Sequence, residues 1–269
     1  MSSFFFTFVS MINNHPIGLF DSGVGGTSIW REIHHLLPNE DSIYLADSKN
    51  APYGQKSKEE IIFLSEKNTE FLLNKNCKII VVACNTATTN AIKELRERYD
   101  VPFIGIEPAI KPAATHSKTQ TIGILATQGT LNSELFHKNV ERFTHTKIIE
   151  QIGHGLVPLI ESGQIDSEEM TKLLESYLQP MMEQNIDYLV LGCSHYPYLI
   201  PQIKKILPQH IQIIDSGEAV ARQTKNVLAE KVGFRNELTQ SKQEFYTNAN
   251  PMVLSQLLNN QYKVIQEDF

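Results

Sequence analysis

The chain has 269 residues, 41% of them hydrophobic, which is enough for one large core or two modest ones. Charged residues make up 20% and the formal net charge is −6, so no basic surface for direct nucleic-acid binding is expected. Three cysteines, an odd and sparse set, argue against a disulfide framework and for a reducing, cytoplasmic setting. No apolar run approaches the roughly 20 residues of a membrane-spanning helix.

Residues 1–14 open with the apolar patch "MSSFFFTFVSM". They show neither a basic leader nor a small-residue cleavage site, and read as a loosely held extension, not a signal peptide. The first convincing strand is "IGLF" (17–20), which leads through "DSGVGG" into a helix from about Thr27 to Leu37. "SIYLAD" (42–47) reads as a strand. "SKEEIIFLSEKNTEFLLNK" (57–75) carries apolar residues at helical spacing, and Ser57 with Glu60 three residues on has the form of a capping box. "KIIVVA" follows as a strand, "TTNAIKELRERY" as a helix and "PFIGI" as a strand. Alternating strands and helices, with strands rich in Val, Ile and Leu, predict an α/β fold whose parallel sheet is covered on both faces.

The pattern then restarts. "TIGILATQGTL" (121–131) resembles "PIGLFDSGVGGT" (16–27), and "IDYLVLGCSHYPYLIPQIKKIL" resembles "CKIIVVACNTATTNAIKEL". The offset is 105 residues from Ile17 to Ile122 and 109 from Cys84 to Cys193. Offsets that agree this closely indicate an internal duplication of one α/β unit, two domains related by a pseudo-twofold axis with a cleft between them. Ligands of open α/β sheets sit beyond the carboxyl ends of strands. Both cysteines hold that position and should face one cleft. The tail from Gly217 to Phe269 is read as a helix (219–231), a strand "EFYT" and a helix around 250–259, packed on the first unit.

A thiol at a strand end, just before a helix, meets the free N–H groups and partial positive charge of the helix N-terminus. This favours the thiolate over a thiol of ordinary pKa about 8.5. The plain alternative is that Cys84 and Cys193 are small buried hydrophobes; the repeated placement favours chemistry. Cys77 precedes its strand and is read as structural. A redox pair would ask for Cys-x-x-Cys, a zinc site for more ligands than His195 alone, and a cysteine hydrolase for only one nucleophile. Two-base proton transfer, with one thiolate removing a proton from one face of a carbon and the opposite thiol returning one to the other, uses both. Asp21 in "DSG" could take the proton of Cys84, hold a substrate ammonium, or simply cap a helix. Gly23, Gly25 and Gly26 let backbone approach a ligand closely, but Ser28 breaks a dinucleotide fingerprint and no phosphate loop follows. The turn at Tyr53 and Gly54 could offer a hydroxyl and an N–H to a carboxylate, or be an ordinary surface turn. His195 is a natural acid or base beside Cys193, or a core histidine.

Taken together, "FDSGVGG", "APYG", "ACNTAT", "VPLIESG" and "GCSHYP" resemble the glutamate racemases of the cofactor-independent aspartate/glutamate racemase superfamily. The likeness runs from about Ile17 to "YTNANP". It implies interconversion of L- and D-glutamate without a cofactor or metal, D-glutamate supply for peptidoglycan, and a homodimer. By motif position it implies Cys84 and Cys193 as acid/base residues, assisted by Asp21 and His195 respectively, and Glu161 as a further carboxylate of the catalytic site. Glu161 has no signal in the spacing, where it reads as an exposed helix-end charge. Substrate contacts are implied for Asp21, Ser22, Tyr53, Gly54, Asn85, Thr86, Ser194 and His195, with Thr127 as the second unit's counterpart of Ser22. Ser194 stands where the family usually has threonine, which keeps the hydroxyl and loses a methyl. The implied domains are 15–107 with 218–269, and 108–217.

Overall fold

Near-continuous apolar strands close into two parallel sheets. The computed structural model describes residues 13–237 and 239–269. The elements of the first unit are β1 (Ile17–Asp21), α1 (Thr27–Leu36), β2 (Ser42–Ala46), α2 (Lys58–Asn74), β3 (Ile79–Val82), α3 (Asn85–Arg98) and β4 (Phe103–Gly105). The chain then passes through α4 (Ile110–His116) to β5 (Thr121–Ala126), α5 (Gln128–Leu131), α6 (Glu134–Val140), β6 (Lys147–Ile152), α7 (Leu156–Glu161), α8 (Glu168–Glu183), β7 (Tyr188–Gly192), α9 (Ile200–Ile206) and β8 (Gln212–Ile214). The tail adds α10 (Gly217–Val227), β9 (Gln243–Thr247), α11 (Met252–Leu257) and β10 (Val264–Gln266).

The six-stranded sheet runs β10-β9-β2-β1-β3-β4 and the four-stranded one β6-β5-β7-β8. The sets β2-β1-β3-β4 and β6-β5-β7-β8 have the same order, and every pairing in both sheets is parallel. The duplicated parallel α/β architecture is therefore present. Strands β1, β2 and β3 are buried along their whole length, as a sheet covered on both faces requires. β6, at the edge, has no fully buried residue.

Local chemistry explains the helix starts. Ser57 accepts the Glu60 N–H at the head of α2, although the Glu60 carboxylate turns to Lys56 (2.6 Å) instead of closing the box. The tail joins the first unit's sheet, where β9 pairs with β2 and β10 with β9, while α10 packs on α1. The expected extension at 1–14 falls mostly on residues 1–12, outside the described residues. Asn13 and Asn14 are not loosely held. The Asn13 N–H donates to the Phe234 carbonyl (3.0 Å), its carbonyl accepts Lys78 Nζ (2.6 Å), and Asn14 Oδ1 accepts the Asn236 N–H (3.0 Å).

Candidate active site

Both thiols stand where a strand of a duplicated pair ends. β3 runs through Ala83 into Cys84, the N-cap of α3, whose sulfur accepts the Ala87 N–H at 3.4 Å and lies 3.7 Å from Ser22 Oγ. β7 ends at Gly192, and Cys193 follows. No α-helix starts there, contrary to the expectation of a helix N-terminus at each cysteine. The chain turns first (Tyr196 N–H to Cys193 carbonyl, 3.1 Å), makes a 3-10 turn over Tyr196–Leu199, and only then enters α9. Pro201, in the first turn of α9, has no N–H with which to extend a helix running on from Cys193.

The two sulfurs face one narrow slot with about 240 Å³ of space between its walls. Most of that space is open to solvent, and the walls themselves leave room for little more than a water molecule. Ser22, Tyr53, Gly54, Cys84, Asn85, Thr86, Thr127, Cys193, Ser194 and His195 line it together with Pro52 and Val157. Asp21 and Glu161 stand behind this wall. Asp21 Oδ2 accepts the Gly26 N–H (2.8 Å), and Oδ1 accepts the Ser194 hydroxyl (3.1 Å). Glu161 ends α7 and reaches across to the first unit. Its Oε1 accepts the Val24 N–H (2.7 Å) and meets His195 Nε2 (2.5 Å), and its Oε2 accepts the Ser48 hydroxyl (2.8 Å). The Glu161 side chain is 14% exposed, so it is not a free helix-end charge.

The glycines of "GVGG" permit close approach, but to protein and not to a ligand. A Cβ on Gly23 would lie 1.9 Å from Glu161 Oε1, and one on Gly25 would lie 2.2 Å from His195 Nδ1. The loop is bare so that the second unit's acid and imidazole can lie against it.

The electrostatics are asymmetric. His195 is fully buried, which disfavours its charged form. The hydrogen bonds to Cys193 (3.8 Å) and Glu161 and the charges of Asp21 and Glu161 outweigh that and hold it well above the usual imidazole range. Cys84 moves the opposite way from the expectation of a favoured thiolate. Burial, followed by the nearby Asp21 carboxylate, pushes its thiol well up, and the Ala87 N–H and Ser22 contacts do not compensate. Burial also raises Asp21, against the pull of His195 and the Gly26 N–H.

Polar groups around the slot are unevenly committed. Thr86 Oγ1 and Thr127 Oγ1 meet across it at 2.8 Å, with Thr130 Oγ1 3.0 Å from Thr127. Asn85 is 2% exposed, yet neither its side-chain nitrogen nor its oxygen has a partner. The expectation of a free Tyr53 hydroxyl does not hold. That group donates to Asp47 and accepts from Asn68 Nδ2 (3.0 Å), so only the backbone of the Tyr53–Gly54 turn is available to a ligand. Sequence reasoning missed Ser48 and also Ser28, whose hydroxyl donates to the Ser194 carbonyl at 2.9 Å. Neither had a periodic or motif signal, because both contacts span more than a hundred residues. Among the described residues, no group of three or more His, Cys, Asp or Glu side chains is arranged to hold a metal ion.

Known proteins share this architecture. The family model described as Asp/Glu/Hydantoin racemase matches residues 17–224. A glutamate racemase of Herpetosiphon aurantiacus is 43% identical over 241 residues, covering 89% of this chain and 95% of the relative. The crystal structure of glutamate racemase isoform RacE1 from Bacillus anthracis superposes with a TM-score of 0.85 at 33% identity, covering 95% of this chain and 98% of that one. The Escherichia coli glutamate racemase solved with L-glutamate and the activator UDP-MurNAc-Ala gives 0.84 at 32% identity, covering 94% and 97%. By sequence and by fold, this chain belongs to the Asp/Glu/Hydantoin racemase family and stands there as an amino-acid racemase among the glutamate racemases.

Proposed function

We propose that the chain interconverts L- and D-glutamate by two-base proton transfer between Cys84 and Cys193. The observation that carries this reading is the pair of buried thiols, at the ends of topologically matching strands, facing one slot. One sulfur takes the α-proton as the C–H bond breaks and an S–H bond forms. The planar carbanion is then reprotonated on its other face by the opposite S–H. At rest Cys84 retains its proton, while Cys193 faces a protonated imidazole that can donate to its sulfur. That arrangement makes Cys84 the proton-bearing thiol of the resting site. Each positioned acid or base typically contributes about 10²–10⁴-fold, and the dry, pre-aligned slot supplies the rest.

An acidic amino acid suits the lining. Hydroxyls of Ser22, Thr86 and Thr127 can donate to its carboxylates. Asn85 offers an oxygen for the ammonium and an N–H for a carboxylate. An unpartnered buried polar group costs about 1–3 kcal/mol, so Asn85 reads as reserved for a ligand. The E. coli relative is solved with L-glutamate, which favours that substrate. The two thiols act directly on the C–H bond, and no step is assigned to a cofactor. From the resemblance we further read a homodimer in the cytoplasm that supplies D-glutamate for peptidoglycan, with residues 15–107 and 218–269 as one domain and 108–217 as the other.

The test is circular dichroism of either enantiomer with Cys84→Ser and Cys193→Ser, alongside solvent deuterium incorporation. Because the enantiomers are equal in free energy, each variant must lose racemisation in both directions. Each should still exchange the α-hydrogen of only the enantiomer its remaining thiol faces. Racemisation at the wild-type rate by either variant would sink the two-base scheme.

A further inference from the structure

Asp47 follows β2 and is 1% exposed, yet it belongs to none of the ion pairs among the described residues. A buried carboxylate without a cation must be held by hydrogen-bond donors. Asn50 Nδ2 (2.7 Å) and Asn248 Nδ2 (2.5 Å) donate to its Oδ1, and the Tyr53 hydroxyl donates to Oδ2. Asn248 lies just past β9 in the tail, and its own Oδ1 accepts the Lys49 N–H (2.9 Å). One carboxylate thus joins the tail to the Tyr53–Gly54 turn at the slot.

We propose that Asp47 is a positioning residue that fixes the Tyr53–Gly54 turn as a preformed carboxylate-binding edge of the slot, with Asn248 of the tail as its partner. The inference rests on the glutamate reading above. The turn (Tyr53–Gln55) lines the slot together with Asn85, whose buried side chain has no partner, and the Tyr53 and Gly54 N–H groups have no acceptor among the described residues, so they are available to an anion. Such donors bind well only when held in place beforehand. The Tyr53 ring is buried and its hydroxyl is the handle by which Asp47 holds the turn. The thiols follow β3 and β7 and do not depend on this handle. Loss of Asp47 therefore weakens substrate binding and leaves the chemical step in place.

Steady-state racemisation of glutamate is compared for the wild type, Asp47→Asn, Tyr53→Phe, and the exchange of Asp47→Asn with Asn248→Asp. In Asp47→Asn the new amide opposes the Asn248 amide, which cannot turn without depriving the Lys49 N–H. KM is expected to rise tenfold or more in both single variants, with kcat within about threefold. The exchange returns a carboxylate to the same hydrogen bond and should bring KM back to within about threefold of wild type. Unchanged KM in the single variants, a loss confined to kcat, or an exchange no better than Asp47→Asn would each overturn the proposal. If Asp47→Asn does not fold, Tyr53→Phe decides alone. Should the wild type leave glutamate unaltered, the racemase reading fails. Asp47 is then judged by amide hydrogen exchange of residues 53–56, which must quicken about tenfold in Tyr53→Phe if the inference is to stand.

Discussion

Glu161 receives two donors from the first unit, the Val24 N–H and the Ser48 hydroxyl, and faces His195 of the second. Its charge is one reason His195 stays protonated, after burial, which opposes the charge, and the Cys193 contact. In Glu161→Gln the amide oxygen can still accept from Val24, but the charge is gone. His195 should then lose its proton at lower pH. We expect kcat to fall by about 10²-fold and the alkaline limb of the pH–rate profile to move to lower pH; a loss under threefold with an unmoved profile would show that Glu161 only braces the loop. Cys77 gives a separate pH prediction. Burial and then the Glu244 charge push its thiol from 9.0 to about 12. Between those values the folded chain holds a proton that the unfolded chain has lost. The stability due to this thiol is therefore fully present below pH 9 and declines as pH rises through the window, by about 1.4 kcal/mol per pH unit. Denaturant titrations from pH 8.5 to 11 should give Cys77→Ala a slope shallower by that amount.

Elements that pack along their whole length were legible, and those defined by distant partners were not. "KIIVVA" and "IGLF" could be read as strands because every side chain is buried. β6 and β10 went unread, since an edge strand with partly exposed residues and a three-residue strand leave no period to detect. At the site, Cys84 and Cys193 were legible through their repeated context, whereas Ser48 acts only through a carboxylate 113 residues away. The direction of the Cys84 shift was misread because a helix N-terminus is a local signal, while burial and Asp21 are tertiary ones. β9 shows what tertiary partners add. Phe245 is fully buried, edge-on to Trp30 at 4.8 Å and tilted on Tyr262 at 5.1 Å. Phe245→Ala should cost about 3–5 kcal/mol, measured by urea unfolding. A loss below 1 kcal/mol would mean that the tail strands add little to the first sheet.

The two units are joined across the slot by bonds that a substrate must get past. Asp21 to Ser194, Ser28 to Ser194, Thr86 to Thr127, and Thr27 to Tyr198 (2.5 Å) all bridge them. The slot they span leaves room for little more than a water molecule, so we expect the units to part for entry and exit, as contacts between domains of this kind commonly allow. Asn90 tests this without touching the slot. Its amide donates to the Thr86 carbonyl (2.8 Å) on its own helix and to the Gly129 carbonyl (3.0 Å) of the second unit. Asn90→Ala removes one bridging bond worth about 1 kcal/mol, which tilts the balance toward the open form by up to about fivefold. Substrate held by the closed form is then held less well, so KM rises by about two- to fivefold. The thiols are untouched, so kcat stays level, and it increases if release of product limits turnover. A tenfold drop in kcat at unchanged KM would place Asn90 with the chemistry instead of the opening, because a bond that only latches the units can slow the closed-state proton transfer no further than it depopulates that state.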